Sequence, residues 1–139
     1  MLIKDIMTPN PFTIGPEKSV LEALLMMYQH DIRRLPVIEN GRLVGIITDR
    51  DIKQLMGRPS LTNREMEEGG SDLAVKEVMT HDVITVEQDA DLRKAIELMV
   101  ENKFSGLPVV DRNQKLVGVL SAIDVLSYTL DLLDRIEGK

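Results

Sequence analysis

The sequence predicts a mixed α/β fold of the α+β kind, made of two copies of one βαββα unit packed about a pseudo-twofold axis. Three observations carry this prediction. First, the chain aligns with itself: Met7-Thr8 with Met79-Thr80, Thr13 with Thr85, Ala23 with Ala95, Met27 with Met99 and Leu35-Pro36-Val37 with Leu107-Pro108-Val109, all offset by 72. After one extra residue in the second copy's turn, Leu43-Val44-Gly45 matches Leu116-Val117-Gly118 and Asp51 matches Asp124, offset by 73. Such fixed-period self-similarity marks a duplicated structural unit. Second, each copy holds one stretch of helical periodicity followed by two short β-rich runs. Third, a unit of roughly 60 residues buries too little surface to be comfortably stable alone. The copies should therefore pack face to face, creating two clefts related by the axis.

The elements follow in order. A short β segment near Phe12 to Ile14, and its copy near Ile84 to Val86, precedes a helix from about Val20 to Gln29 and from about Leu92 to Asn102. Leu21, Leu24, Leu25 and Tyr28 fit a helical stripe in the first copy, as do Ile96, Met99 and Val100 in the second. Two strands come next, Leu35 to Ile38 and Leu43 to Ile47, joined through Asn40-Gly41, a dipeptide that favours a two-residue hairpin. The second copy repeats them at Leu107 to Val110 and Val117 to Leu120. A closing helix runs from about Asp49 to Leu55 and from about Ala122 to Ile136. Residues 1–56 form the first repeat and 73–139 the second. Between them, 57–72 is rich in Gly, Ser, Pro and charge and reads as a linker, with a short helix possible around Asn63 to Glu68.

Composition narrows the functions. The 139 residues suit one compact domain or two very small ones, at 43% hydrophobic and 29% charged. Two Phe, two Tyr and no Trp leave an aliphatic core with eight Met, and nearly exclude a base-stacking platform. A net charge of −6 argues against a nucleic-acid surface, which would need clustered Lys and Arg. No cysteine is present, so disulfides, thiolate nucleophiles and Cys-bound zinc are excluded. No run approaches the ~20 apolar residues of a membrane helix, and the start lacks a signal-like stretch. A cytoplasmic protein without membrane insertion is expected. His30 and His81 are 51 positions apart with no metal-ligand spacing, and no Ser-His-Asp order, HExxH or phosphate-binding glycine loop appears. Neither catalysis nor a required cofactor is expected.

The chemistry concentrates in Gly45-Ile46-Ile47-Thr48-Asp49-Arg50-Asp51 and its copy Gly118-Val119-Leu120-Ser121-Ala122-Ile123-Asp124, each ending a strand and opening a helix. One reading is a capping box, with Thr48 or Ser121 at the N-cap and Asp51 or Asp124 three residues on. The other uses the same helix N-terminus, with its free N–H groups and positive dipole, to receive a phosphate, while the carboxylate accepts both hydroxyls of a ribose. Spacing alone leaves both open.

The two Met-Thr elements, the two Leu-Pro-Val elements and the two Gly-x-x-[Thr/Ser]-x-x-Asp elements together resemble the tandem cystathionine-β-synthase (CBS) domain pair, or Bateman module, over nearly the whole chain. The layout is similar to the stand-alone CBS-pair proteins of bacteria and archaea, including those of acetoin utilisation. The resemblance implies a regulatory module for adenine nucleotides, AMP, ADP, ATP or a related adenosyl compound. It assigns Asp51 to the ribose, Thr48 to ribose or phosphate and Ile46 to the adenine pocket, with Asp124, Ser121 and Val119 as the second half-site. By the same resemblance the two positions before Leu-Pro, Arg33 and Arg34, and the residue before the ribose Asp, Arg50, face the phosphates. The second copy has Ser105, Gly106 and Ile123 there, so the repeat is asymmetric. Against this stands a plainer reading of Arg33-Arg34 as a solvated pair with incidental ion pairs, for example to Asp31, worth ~0 to 1 kcal/mol.

The last helix places Val125, Leu126, Thr129, Leu132, Leu133 and Ile136 on one apolar face, and Bateman modules commonly dimerise through their helices. A homodimer acting on a separate effector protein is expected. The competing expectation is a purely structural dimerisation or interaction module in which the aspartates only cap helices.

Overall fold

The computed structural model describes residues 1–56 and 73–138, which divide into two compact units: Phe12–Val83, and Met1–Pro11 together with Ile84–Lys139. The linker expected at 57–72 and its short helix lie outside the described residues.

In the first unit, helix α1 (Val20–His30) is opened by Ser19, whose hydroxyl accepts the Glu22 N–H at 3.0 Å, and closed by Asp31 in the left-handed region. Strands β2 (Arg34–Glu39) and β3 (Arg42–Thr48) pair antiparallel, with a bulge at Val37/Ile38. Asn40 and Gly41 have φ of 53° and 79°. Positive φ at both central residues is what a type I′ hairpin requires, as the Asn-Gly signal predicts. Helix α2 (Asp49–Met56) follows, then the single-turn helix α3 (Val75–Val78). Ile14 bridges Val37 in parallel at one edge of the β2–β3 ribbon, and Thr80 bridges Ile46 antiparallel at the other. Leu35, Val37 and Ile47, alternating along the strands, are fully buried against Ala23, Met27, Ile52 and Val75. Each such aliphatic side chain contributes about 1.5–3 kcal/mol by leaving water.

The second unit repeats this plan with a longer sheet. Its strands β1 (Thr8–Pro9), β4 (Val86–Glu87), β5 (Gly106–Val110) and β6 (Leu116–Ser121) run in the order β1-β6-β5-β4, with β4 parallel to β5 and the other pairs antiparallel. Helix α4 (Leu92–Asn102) is capped by Asp91 and ends at Lys103 with φ 57°. Helix α5 (Ala122–Glu137) ends at Gly138 with φ 72°. A 3-10 turn at Ile3–Asp5 sends Ile3 into the core beside Val86, Leu92, Met99, Leu107, Val109 and Leu120.

The compact units therefore cut across the two repeats, exchanging a short segment from each. Residues 1–11 join the second copy's sheet, and residues 73–83 join the first copy's. The reason is edge pairing: β6 and β3 each offer an unpaired edge, and each is capped by the Met-Thr segment that precedes the other repeat in sequence.

One sequence expectation is overturned in α1. The stripe Leu21, Leu25 and Tyr28 faces outward, with Tyr28 88% and Leu25 51% exposed, while Val20, Ala23 and Met27 are buried and Leu24 packs partly against the core. The helix is apolar almost all round, so two stripes compete, and the one with the small Ala23 lets the backbone approach the sheet closely. In α4, Met99 is buried and Ile96 packs beside the core as expected, but Val100 is 72% exposed.

Candidate functional site

At the end of β3 the chain turns directly into α2, and the capping-box geometry is fully formed. The Asp51 N–H donates to Thr48 Oγ1 at 3.0 Å and the Thr48 N–H donates to Asp51 Oδ2 at 3.0 Å. The shorter Asp reaches as well as the usual Glu. Among the described residues no hydrogen bond is made to Asp51 Oδ1, so half of this carboxylate still has its lone pairs available.

Arg34 lies directly across the ribbon from Thr48, and Pro36 across from Ile46. Directly opposed side chains share a face, so Arg34, Ile46 and Thr48 stand together on the face opposite Leu35, Val37 and Ile47. Burial pushes the Arg34 guanidinium below its ordinary range, with attraction to Asp49 acting in the other direction. The group stays charged, so it is a partly desolvated cation beside a helix N-terminus. Arg33 is exposed, and its carbonyl accepts the Asp49 N–H at 2.9 Å, tying the start of β2 to the start of α2. Arg50 is exposed on the first turn of α2.

The second copy reproduces the frame without the charge. The Asp124 N–H donates to Ser121 Oγ at 3.0 Å and the Ser121 N–H to Asp124 Oδ2 at 2.9 Å. The Ser105 carbonyl accepts the Ala122 N–H at 2.9 Å, as Arg33 does for Asp49. Gly106 opposes Ser121, and Pro108 opposes Val119. Ile123, the counterpart of Arg50, is 69% exposed and apolar. Asp124 also has a partner that Asp51 lacks: Thr8 Oγ1 donates across both carboxylate oxygens, at 3.1 Å to Oδ1 and 3.3 Å to Oδ2.

Sequence reasoning aligned the two Met-Thr elements without finding what they do. Thr8 pairs with Val119, and the Ile46 and Thr80 backbones exchange hydrogen bonds of 3.0 and 2.8 Å, so each Met-Thr runs beside an adenine-pocket candidate. A Cβ added at Gly45 would lie 2.6 Å from Met79 Sδ and 2.8 Å from the Thr80 carbonyl oxygen. At Gly118 the same atom would meet Met7 Sδ at 2.7 Å and the Thr8 oxygen at 2.8 Å. The co-occurrence of Met-Thr and the strand glycine in both copies was the available signal.

A cleft of about 250 Å³ in the first unit is lined by Asp51, Gln54, Leu55, Leu73, Glu77 and Val78. Its lining comes from α2, α3 and the segment before α3, and its charged groups are both carboxylates. His30 is exposed and stacks on Phe12, centroids 3.7 Å apart and planes 14° apart. His81 is also exposed. Among the described residues no helix is long and apolar enough to cross a membrane.

Similarity to known proteins covers this whole arrangement. The family model "CBS domain" matches residues 3–58 and 75–131. Protein MJ1225 of Methanocaldococcus jannaschii is 36% identical over 91% of the chain, and its structure superposes with a TM-score of 0.83 over 92% of the chain. The chain spans about half of that relative, 46% of its length. CBSX2 of Arabidopsis thaliana, solved in complex with AMP, is 31% identical with a TM-score of 0.79, covering 94% of this chain and 97% of that one. The CBS domain pair of MJ0100, solved with 5′-methylthioadenosine and S-adenosyl-L-methionine, is 30% identical with a TM-score of 0.75, covering 93% and 95%. With two matched domains that take in both Gly-x-x-[Thr/Ser]-x-x-Asp turns, the chain belongs to the CBS-domain family and carries two such domains in tandem.

Proposed function

We propose that this chain is a regulatory module that binds an adenine nucleotide (AMP, ADP or ATP) or a related adenosyl compound, and signals its occupancy to a separate effector protein without catalysing a reaction. The observation that carries the reading is the half-open carboxylate of Asp51 beside a helix N-terminus, with Arg34, Ile46 and Thr48 on the adjoining sheet face. In this reading Asp51 accepts the ribose hydroxyls, Thr48 reaches ribose or phosphate, Ile46 contacts adenine, and Arg33, Arg34 and Arg50 meet the phosphates. Asp124, Ser121 and Val119 form a second half-site suited to an uncharged tail. The complexes of CBSX2 with AMP and of MJ0100 with adenosyl compounds support the ligand class. The chain works as a homodimer in the cytoplasm, and nucleic acid and membrane insertion play no part.

A ligand that binds only the folded state stabilises it by RT ln(1 + [L]/Kd), about 2.7 kcal/mol at 100 times Kd. AMP should therefore raise the melting temperature, and adenosine should bind worse than AMP. Arg34→Ala should lose about tenfold in AMP affinity, as expected for a charge-assisted hydrogen bond; Ser105→Ala should lose little. Flat melting curves with adenine nucleotides and S-adenosylmethionine would overturn the proposal. The second reading, a purely structural interaction module, would then stand, favoured by capping boxes that close with no ligand needed.

A further inference from the structure

The two aspartates sit in the same local frame, yet among the described residues Asp124 alone is engaged from outside its own turn. Asp124 accepts the Ser121 N–H and the Thr8 hydroxyl, the latter straddling both carboxylate oxygens. Asp51 accepts the Thr48 N–H, and no hydrogen bond joins it to Thr80, although Thr80 stands against Ile46 as Thr8 stands against Val119.

A ribose 2′,3′-diol presents two O–H donors to a carboxylate, one for each oxygen. The Thr8 hydroxyl has one proton, and it is already directed at both of the oxygens that such a diol would use. Its distances of 3.1 and 3.3 Å are long for an O–H donor to a carboxylate, whose usual range is roughly 2.5–2.7 Å, so the contact is shared and displaceable. We propose that Thr8 is a built-in competitor for the ribose position at Asp124, making the half-sites unequal: Asp51 fills first, and Asp124 binds an adenosyl compound only by displacing Thr8. This rests on the ligand-binding reading above. It adds a cause of inequality separate from the missing arginines, because it acts at the ribose and not at the phosphate. It therefore applies to a ligand with no phosphate at all.

Equilibrium dialysis of the full chain with radiolabelled adenosine separates these effects. Thr8→Val keeps the shape and removes the donor. It should raise the affinity of the weaker site by roughly tenfold, the scale of a hydrogen bond to a charged group, and leave the tighter site unchanged. Thr8→Ser should restore wild-type behaviour. The double variant Thr8→Val/Asp51→Ala should keep one site, the improved one at Asp124. Thr8→Ala gives a second route to the same result should the valine disturb β1. An unchanged or weakened second site in both Thr8→Val and Thr8→Ala, with the tight site intact, would overturn the competitor role. Adenosine and AMP bound by neither wild type nor any variant would overturn the ligand reading itself, and the competitor with it.

Discussion

Asp51 and Asp124 occupy equivalent positions but carry different loads, and that difference is measurable as stability. Replacing Asp51 by Ala removes the acceptor for the Thr48 N–H, a capping loss of about 0.5–2 kcal/mol. Replacing Asp124 by Ala removes the acceptor for Ser121 and also the bond from the exposed Thr8 hydroxyl. Asp124→Ala should therefore destabilise by about 1 kcal/mol more than Asp51→Ala, the usual net contribution of one hydrogen bond. Urea denaturation of the two variants without ligand decides it, and a larger loss for Asp51→Ala would refute the unequal-load account. The capping boxes were legible in the sequence because they depend on residues three apart. The Thr8 contact spans 116 positions, and no local pattern announces a partner at that separation.

Among the elements, the short Met-Thr segments depend most on one residue elsewhere. Gly45 and Gly118 let a backbone pass so close that a methyl group would overlap both a sulfur and a carbonyl oxygen. The methionine can swing aside, but the carbonyl belongs to a paired backbone. Gly45→Ala should cost about 1–3 kcal/mol, as overpacked core positions do, and should speed hydrogen exchange at the Thr80 and Ile46 amides before any other in β3. Unchanged exchange there would show that the segment is held by something else. The hairpins and main helices were readable because period and turn chemistry are local: Asn40-Gly41 fixes its turn, and apolar spacing marks the helices that Ser19 and Asp91 cap in the structure. The α1 face was not, because an all-round apolar helix lets the sheet choose, and the sheet chose the stripe with Ala23. Pairing of β1 with β6 was equally hidden, since two-residue strands carry no periodicity.

Over the molecule as a whole, apolar surface remains uncovered on α5, where Leu126, Leu130, Leu133 and Ile136 are exposed, and on α1 at Leu21 and Leu25. Contiguous exposed apolar residues on helices mark association surfaces. The proposed homodimer uses α5, so Leu133→Glu should shift sedimentation from twice 15.6 kDa to 15.6 kDa, with a monomer that still unfolds cooperatively although at a lower temperature, because the partner no longer stabilises the folded state. A wild type that sediments as a monomer even well above micromolar concentration would refute it. The exchange of Met-Thr segments also imposes an order of events as the chain leaves the ribosome. The unit 12–83 is continuous, so it holds all its strands before β6 has been made, whereas the β1 segment, synthesised before that unit, must wait for a partner that follows it. Closing the longer loop costs about 1 kcal/mol more in chain entropy than bringing Thr80 to Ile46, because that cost grows only with the logarithm of length. Pulsed hydrogen exchange during refolding should therefore protect the Thr80 amide before that of Asn10, which bonds to Val117, and the reverse order would show that the late-made sheet recruits its edge early. The β1 segment, made before the unit it precedes, is thus settled after it.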